Sequence, residues 1–180
     1  MRHPTRWNAL AAGVVVMLLV VVLVMIVGDE AGSGGGRLVG HSAPAFDLRT
    51  LDGARVTGAG LDGRAYVVNF WNSWCVPCRQ EGPALAAFYE RHSDEPDFKM
   101  IGIVRDDTER AVRDYVEAEG IAWTVALDPG GRAALDFGTT GQPETFVVGP
   151  DGLVTGAQIG PVTDAQLEEM LALARGGGGV

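Results

Sequence analysis

The two cysteines of the chain, Cys75 and Cys78, lie between a predicted strand and a predicted helix. The short apolar run AYVVNFW (65–71) predicts a buried strand. The segment 76–92 follows with apolar residues at helical spacing, which predicts an amphipathic helix. The cysteines therefore fall at the end of a strand and in the first turn of the next helix. This arrangement begins a βαβ unit and favours an α/β fold.

The rest of the globular part continues the same alternation. Residues 99–104 predict a second buried strand, and residues 108–120 predict a helix that Thr108 caps and Gly120 ends. Further predicted elements are a strand pair within 44–58, a hairpin of strands 144–149 and 153–159, and a helix at 163–174. Together these elements predict a mixed sheet covered by helices on both faces.

An uninterrupted apolar run at residues 9–27 predicts a membrane anchor. As a helix it would be about 28 Å long, which matches the hydrocarbon core of a bilayer. Arg2 and Arg6 precede the run and Asp29 and Glu30 follow it, so the positive-inside tendency leaves residues 1–8 in the cytoplasm. A cleaved signal peptide is the alternative, but the run is long and no clean A-x-A site follows it. We therefore expect a single-pass signal-anchor in the cell membrane, with the remaining chain extracytoplasmic.

Composition divides the exported part into three segments. Residues 28–37 are rich in glycine and predict a flexible linker, residues 38–175 form the globular domain, and residues 176–180 form a flexible tail. All 23 acidic residues but only 12 of the 14 basic ones follow the anchor, which gives this part a net charge of about −11. This charge disfavours nucleic acids and anionic lipid surfaces as partners.

Several structural explanations of the cysteine pair fit poorly. A disulfide between residues three positions apart constrains the unfolded chain very little. A zinc or iron–sulfur site needs more ligands than two cysteines, and His41 and His92 are not at ligand spacing. A c-type haem attachment would need a histidine directly after Cys78, where Arg79 stands. We expect neither a metal nor another cofactor, and a redox function is favoured.

The position of the pair suggests separate roles for the two thiols. Free N–H groups and the positive end of the helix dipole stabilise a thiolate at a helix N-terminus. We expect Cys75 to be the exposed nucleophile with a lowered pKa and Cys78, further inside, to be the resolving thiol. Pro77 fits the first turn, because the N–H that it lacks would have no partner within the helix.

Two segments of the sequence carry a family resemblance. VVNFWNSWCVPCRQEGP (67–83) resembles the active-site segment of the thioredoxin superfamily, and FGTTGQPETFVVGPDG (137–152) resembles a second conserved segment of that superfamily. The similarity is greatest to the membrane-tethered, extracytoplasmic branch that includes TlpA, ResA and CcmG (DsbE), and it covers about residues 39–173. It implies a thioredoxin fold with an N-terminal strand-pair extension.

The resemblance also implies site residues. Cys75 and Cys78 match the nucleophilic and resolving cysteines, and Pro143 matches a cis-proline that lies against the disulfide and holds an extended substrate. An X-Pro bond has a small cis penalty, so this position suits that role. The residues implied in substrate binding are Trp74, Pro77, Gln142 and Pro143.

Asn69 and Glu81 form a second implied pair. Cytoplasmic thioredoxins carry a buried Asp at the position of Asn69, where it relays protons for the inner cysteine. Asparagine cannot take up a proton, whereas Glu81 lies on the helix face of Cys78 and can do so. Considered alone, Glu81 could equally be an acid on the solvated surface of the helix, which is the commoner case. Its combination with Asn69 favours a catalytic role.

The implied function is that of a thiol:disulfide oxidoreductase. A reductase in cytochrome c maturation would receive electrons from a membrane thiol donor of the CcdA/DsbD type and reduce apocytochrome c among exported proteins. The alternative is an oxidase that forms disulfides in exported proteins with the same residues. A metal or haem chaperone and a purely structural interaction module are more remote alternatives. At 104–106 the chain reads Val-Arg-Asp, where the CcmG group typically has an Asn-Tyr-Lys-type stretch.

Overall fold

The computed structural model of the chain describes residues 15–17, which are helical, and residues 34–176. The predicted cytoplasmic N-terminus and most of the predicted anchor, linker and tail lie outside the described residues. Within the described part of the chain, no helix is long and apolar enough to cross a bilayer.

Seven strands and four α-helices follow one another in residues 34–176. The strands are β1 (Asp47–Thr50), β2 (Arg55–Thr57), β3 (Ala65–Trp71), β4 (Phe98–Val104), β5 (Thr124–Leu127), β6 (Glu144–Val148) and β7 (Val154–Ile159). The helices are α1 (Val76–His92), α2 (Glu109–Glu119), α3 (Arg132–Asp136) and α4 (Asp164–Gly176). Short 3₁₀ helices occupy Gly34–Leu38 and Ala59–Leu61.

The seven strands form one mixed sheet in the order β2-β1-β5-β4-β3-β6-β7. Strands β3, β4 and β5 run parallel, whereas β1 pairs antiparallel with β5 and β6 pairs antiparallel with β3. The predicted N-terminal strand pair (β1, β2) and the predicted C-terminal hairpin (β6, β7) are both confirmed. Strand β3 lies between β4 and β6, and the loop that follows it lies at the C-terminal edge of the parallel strands.

Strand β3 separates two apolar layers, because its side chains alternate between the faces of the sheet. Tyr66, Val68 and Phe70 pack on the face that α3 covers. Val67 packs on the opposite face with side chains of α1 and α4, and Trp71 packs there with the two cysteines and α2. The predicted helix layers on both faces of the sheet are therefore confirmed. Asn69 is the polar residue of β3 on the α1 face, and it is buried.

Helix α2 has the ends that the sequence predicts. The Thr108 side chain accepts a hydrogen bond from the Ala111 N–H at 3.2 Å, as an N-cap residue does. Gly120 ends the helix in a left-handed conformation with φ of 65°. Strand β4 begins at Phe98, one residue before the predicted start.

Two short elements, β5 and α3, were not predicted. Strand β5 has only four residues, too few to show a period, and its pairing with β1 and β4 depends on distant residues. Helix α3 has five residues, and the Asp128 carboxylate accepts hydrogen bonds from Ala133 N at 3.1 Å and Ala134 N at 2.9 Å. This contact reaches further along the chain than an ordinary N-cap, so a search for local capping patterns misses it.

Candidate active site

Cys75 and Cys78 form a disulfide at the junction of β3 and α1, with their Cα atoms 5.3 Å apart. Cys75 is the N-cap residue of α1, and its Sγ accepts a hydrogen bond from the Cys78 N–H at 3.2 Å. The sulfur of Cys75 therefore lies at the positive end of the helix dipole. Pro77 lies in the first turn of the helix, as predicted.

Both cysteines are buried in this oxidised state, with exposed fractions of 5% for Cys75 and 6% for Cys78. The predicted exposure of Cys75 is thus wrong for the disulfide form. The physical reason is the S–S bond, which ties Cys75 Sγ to a buried partner in the cluster with Trp71 and Val112. The neighbouring side chains of Trp74, Val76 and Pro77 are exposed and form the surface around the disulfide.

The loop that follows β4 holds the segment in front of Cys75. Asp107 accepts a hydrogen bond through Oδ2 from the Ser73 N–H at 2.8 Å, and the Trp74 indole donates to the Asp106 carbonyl at 3.3 Å. The Asn72 side chain donates to the Arg105 carbonyl in the same loop. Sequence reasoning missed these anchors. The only indication of these hydrogen bonds was that β3 and β4 are adjacent parallel strands. Their carboxyl ends meet at one edge of the sheet, so the loops that follow them lie side by side.

Arg79 fixes the same segment from the helix side. Its guanidinium donates two hydrogen bonds to the Ser73 carbonyl, from Nε at 3.2 Å and from Nη2 at 2.8 Å. The guanidinium also stacks over the Tyr115 ring of α2, 5.2 Å from the ring centroid. The turn that carries the disulfide is therefore hydrogen-bonded on both sides, which was not apparent from the sequence.

Glu81 is a buried acid, with an exposed fraction of 2%. Its Oε1 accepts a hydrogen bond from Asn69 Nδ2 at 2.9 Å, and its Oε2 accepts one from the Val162 N–H at 2.9 Å. Burial raises the pKa of Glu81 from 4.5 to about 7, although these two hydrogen bonds oppose the shift. The solvated-surface explanation of Glu81 is therefore wrong, and the carboxyl group can both bind and release a proton near neutral pH.

Asn69 connects Glu81 to the sheet. Its Nδ2 donates to Glu81 and also to Thr145 Oγ1 on β6 at 3.0 Å, so both amide hydrogens have partners. Glu81 follows Cys78 by three positions on α1, and both side chains are buried. The structure therefore brings the inner cysteine, the acid and the asparagine of the predicted site to one face of the sheet. Their catalytic roles remain predictions.

The Gln142–Pro143 peptide bond is cis, as the resemblance implies. It directly precedes β6, the strand that pairs with β3, and Pro143 is buried while Gln142 is partly exposed. The roles of Gln142 and Pro143 in substrate binding, like those of Trp74 and Pro77, remain predictions. The next residue, Glu144, is fully buried and accepts a hydrogen bond from the Thr140 N–H at 3.0 Å.

Among the described residues, no group of three or more His, Cys, Asp or Glu side chains is arranged so that it could hold a metal ion. The groups that surround the disulfide are the N-terminus of α1, the polar turn 72–74 and the buried carboxyl group of Glu81.

Comparison with known proteins identifies the family. The model of the AhpC/TSA family matches residues 39–157, which is more than half of the chain. The chain belongs to the AhpC/TSA family. The matched residues begin before β1 and end within β7. They therefore contain the whole sheet except the last two residues of β7.

Named relatives and a solved structure agree with this assignment. The chain is 32% identical over 133 residues to the thiol-disulfide oxidoreductase ResA of Bacillus thuringiensis (strain Al Hakam). This match covers 74% of this chain and 76% of the relative. The chain is 37% identical over 130 residues to the thiol:disulfide interchange protein HelX of Rhodobacter capsulatus. This match covers 71% of this chain and 71% of HelX. A crystal structure of a thiol:disulfide interchange protein from Chlorobium tepidum TLS has a TM-score of 0.65 and 33% identity, and the match covers 74% of this chain and 94% of that one.

These similarities confirm the family, the thioredoxin-like fold and the enzyme class that the two sequence segments imply. This AhpC/TSA-family chain is a thiol:disulfide oxidoreductase of the ResA, HelX and DsbE type. Its substrates are thiols and disulfides.

Proposed function

We propose that Cys75 and Cys78 are the redox centre of a membrane-tethered reductase that acts on apocytochrome c outside the cytoplasm. One observation carries the proposal for the redox centre. The two cysteines of the chain form a disulfide on the first turn of α1, next to the exposed side chains of Trp74, Val76 and Pro77. A bridge over so short a loop adds little stability, so its use in electron transfer explains it better.

The reaction begins with the reduced protein. The Cys75 thiolate attacks one sulfur of a client disulfide, a Cys75–client mixed disulfide forms, and the other client sulfur leaves as a thiolate. The Cys78 thiolate then attacks Cys75 Sγ, and the second client sulfur leaves. Two electrons have moved to the client, which gains two thiols once its sulfurs are protonated, and the Cys75–Cys78 disulfide remains.

The N-cap position favours Cys75 as the attacking thiolate. The Cys78 N–H that now donates to Cys75 Sγ would donate to the same sulfur when it is ionised. The helix dipole adds to this effect, because its positive end lies at the first turn. Both interactions stabilise the thiolate relative to the thiol and therefore lower the pKa of Cys75 in the reduced protein.

Glu81 is the proposed proton acceptor for Cys78. The Cys78 thiol must lose its proton before it can attack Cys75 Sγ, and Glu81 lies one helical turn further on the same buried face. Its pKa of about 7 matches that of a general base that works near neutral pH. Asn69 positions the carboxylate through the 2.9 Å hydrogen bond to Oε1.

The client and the electron donor are inferred from the resemblance to the TlpA, ResA and CcmG branch. A donor of the CcdA/DsbD type would return electrons to the Cys75–Cys78 disulfide from the membrane, and apocytochrome c would be the client. The proposed location rests on the apolar run at residues 9–27 and on the charges that flank it. The location can be tested with a reporter that works only in the cytoplasm, fused after Val180. Activity of this fusion would contradict the proposed location.

The direction of the reaction is tested by the reduction potential of the Cys75–Cys78 pair. A reductase should have a potential nearer to that of thioredoxin, about −270 mV, than to that of the oxidase DsbA, about −120 mV. The purified chain can be equilibrated with dithiothreitol or glutathione buffers, and its thiols can then be counted by alkylation and mass spectrometry. A potential near that of DsbA would favour the alternative function, an oxidase that forms disulfides in exported proteins.

A further inference from the structure

A four-residue connecting segment, residues 160–163, joins β7 to α4 and touches two parts of the active site. At its start, the Gly160 N–H donates a hydrogen bond to the Pro143 carbonyl at 2.9 Å. Two residues later, the Val162 N–H donates to Glu81 Oε2, also at 2.9 Å. The connecting segment therefore holds both the proline of the cis peptide bond and the buried acid.

Both ends of the connecting segment are fixed by the structure around them. The hydrogen bond from Gly160 to Pro143 lies directly beyond the last pair of the β6–β7 ladder. Val162 has an exposed fraction of only 2% and packs in the apolar cluster to which α1 and α4 contribute. Between them, Pro161 has a φ that its ring fixes and no N–H group of its own. The direction of the chain between the two hydrogen bonds therefore depends largely on Gly160.

Gly160 has a left-handed backbone conformation, with φ of 79°. Glycine adopts this conformation readily, whereas other residues adopt it rarely and β-branched residues are true outliers there. A Cβ atom at Gly160 would have no atom of a non-neighbouring residue within 4 Å. The position therefore requires glycine because of its backbone conformation and not because space is lacking.

The hydrogen bond from Val162 affects the acidity of Glu81. Burial raises the pKa of Glu81 to about 7, and the hydrogen bonds from Val162 and Asn69 limit this rise. The Val162 N–H can only donate, so it stabilises the carboxylate and not the protonated acid. Loss of this hydrogen bond should therefore raise the pKa of Glu81 further above neutral pH.

Two other titratable side chains lie near Glu81. Cys78, three positions earlier on α1, is part of the disulfide. The pKa of Tyr115 on α2 is raised by burial and by the charges of Glu119 and Glu81, against the effect of Arg79, so its phenol is neutral at pH 7. The groups that donate to the Glu81 carboxylate from β3 and from the connecting segment are uncharged. In the described part of the chain, these two hydrogen bonds are what lowers the pKa of Glu81.

We propose that Gly160 is a positioning residue for the redox reaction. Its left-handed turn directs the Val162 N–H to Glu81 Oε2, while its own N–H holds the Pro143 carbonyl. The connecting segment thereby ties the proposed client-binding proline to the proposed proton acceptor of Cys78. This inference rests on the proposed role of Glu81 and adds that the acid works near neutral pH only while the turn at Gly160 is intact.

Gly160→Val and Gly160→Asn test the backbone conformation with side chains of similar size. Valine is rarely found in the left-handed region, whereas asparagine tolerates it. Gly152→Val is the control for strain alone. Gly152 has the same φ of 79° and equally open space for a Cβ atom, but it lies in the β6–β7 turn, at the end of β6 away from Pro143. Gly160→Ala is a milder variant for use if Gly160→Val does not fold.

The pKa of Glu81 can be measured by NMR on the oxidised full-length chain with ¹³C-labelled glutamate, with Glu81→Gln to assign the signal. We expect Gly160→Val to raise the midpoint by about 0.5 to 1 pH unit, the effect of one hydrogen bond. Gly160→Asn and Gly152→Val should keep the wild-type midpoint. Resolution of the mixed disulfide by Gly160→Val should slow about twofold to fivefold at pH 7 and recover by about pH 9, because the carboxylate is then formed again.

An unchanged Glu81 midpoint in folded Gly160→Val, or in Gly160→Ala if that variant is used, would overturn the inference. An equal shift in Gly152→Val or in Gly160→Asn would also overturn it, because the left-handed turn at Gly160 would then not be the cause. Failure of the proposed role of Glu81 is a distinct result. If wild type and Glu81→Gln resolve the mixed disulfide with the same pH profile, that role and this inference are both overturned.

Discussion

Cys75→Ser should reduce thiol:disulfide exchange at least about 10³-fold, because a serine hydroxyl is not ionised at neutral pH and cannot replace the attacking thiolate. The assay mixes the reduced variant with a peptide disulfide and measures the thiol that is released. The fold should be retained, since the change exchanges sulfur for oxygen at the N-cap, where serine is also a favoured residue.

Cys78→Ser is the matched variant, and its expected result is different. Cys75 can still attack, so one equivalent of thiol should be released in a burst, after which the mixed disulfide persists because no second thiolate is available. The assigned roles would be reversed if Cys75→Ser gave the burst and Cys78→Ser gave none. Loss of the burst in both variants would show that neither cysteine attacks the client without the other.

Glu81→Gln should slow the resolution of the mixed disulfide about 10²-fold near pH 7, which is the lower end of the range for general acid–base catalysis. The pKa of Glu81 is raised to about 7 by burial, so the carboxylate becomes available as pH rises through 7. The wild-type rate of resolution should rise in that range. The variant should lack this component, which single-turnover kinetics between pH 5 and 9 would measure.

Glu90→Gln provides the control, because Glu90 lies on the same helix but is exposed to solvent. It should keep the wild-type profile. Identical pH profiles for wild type and Glu81→Gln would remove Glu81 from the mechanism. Its burial would then be purely structural, explained by the hydrogen bonds from Asn69 and Val162.

Stability provides a second measurement on the Glu81→Gln variant. The folded-state pKa of Glu81 is raised above the value of 4.5, so between about pH 4.5 and 7 the folded protein holds a proton that the unfolded chain has released. The free energy of unfolding therefore falls as pH rises through this window, by about 3 kcal/mol for a shift of this size. Glu81→Gln should lose this fall, which denaturant titrations at several pH values would detect.

The fold and the centre of the site were predictable because their signals are local. Cys75, Cys78 and Glu81 lie within seven residues of one another, between a strand and a helix whose periods are clear. Pro143 was identified by a second segment of sequence rather than by geometry. Asn69 and Glu81, which are 12 positions apart, are hydrogen-bonded to each other. The resemblance had paired them, because Asn69 stands where cytoplasmic thioredoxins carry an Asp.

The contacts that sequence reasoning missed join residues far apart in the chain. The hydrogen bond from Ser73 to Asp107 spans 34 positions. The approach of the Trp71 and Trp123 indoles to Gly102 depends on the register of β4 with β3 and with β5, in which Gly102 pairs with Asn69 and with Val125. No periodic pattern within a single element indicates such contacts. Cys75 was predicted to be exposed as a thiolate, whereas in the structure it is buried as part of the disulfide.

The proteins trapped by Cys78→Ser in cells test the central claim, reduction of apocytochrome c, most directly. The variant should hold its clients as Cys75 mixed disulfides, which can be isolated from the membrane fraction under non-reducing conditions and identified by mass spectrometry, with Cys75→Ser as the control that traps nothing. We predict that the trapped set contains proteins with C-x-x-C-H haem sites. A set of varied exported proteins with scattered cysteines, and without any haem-site protein, would contradict this account and favour the oxidase.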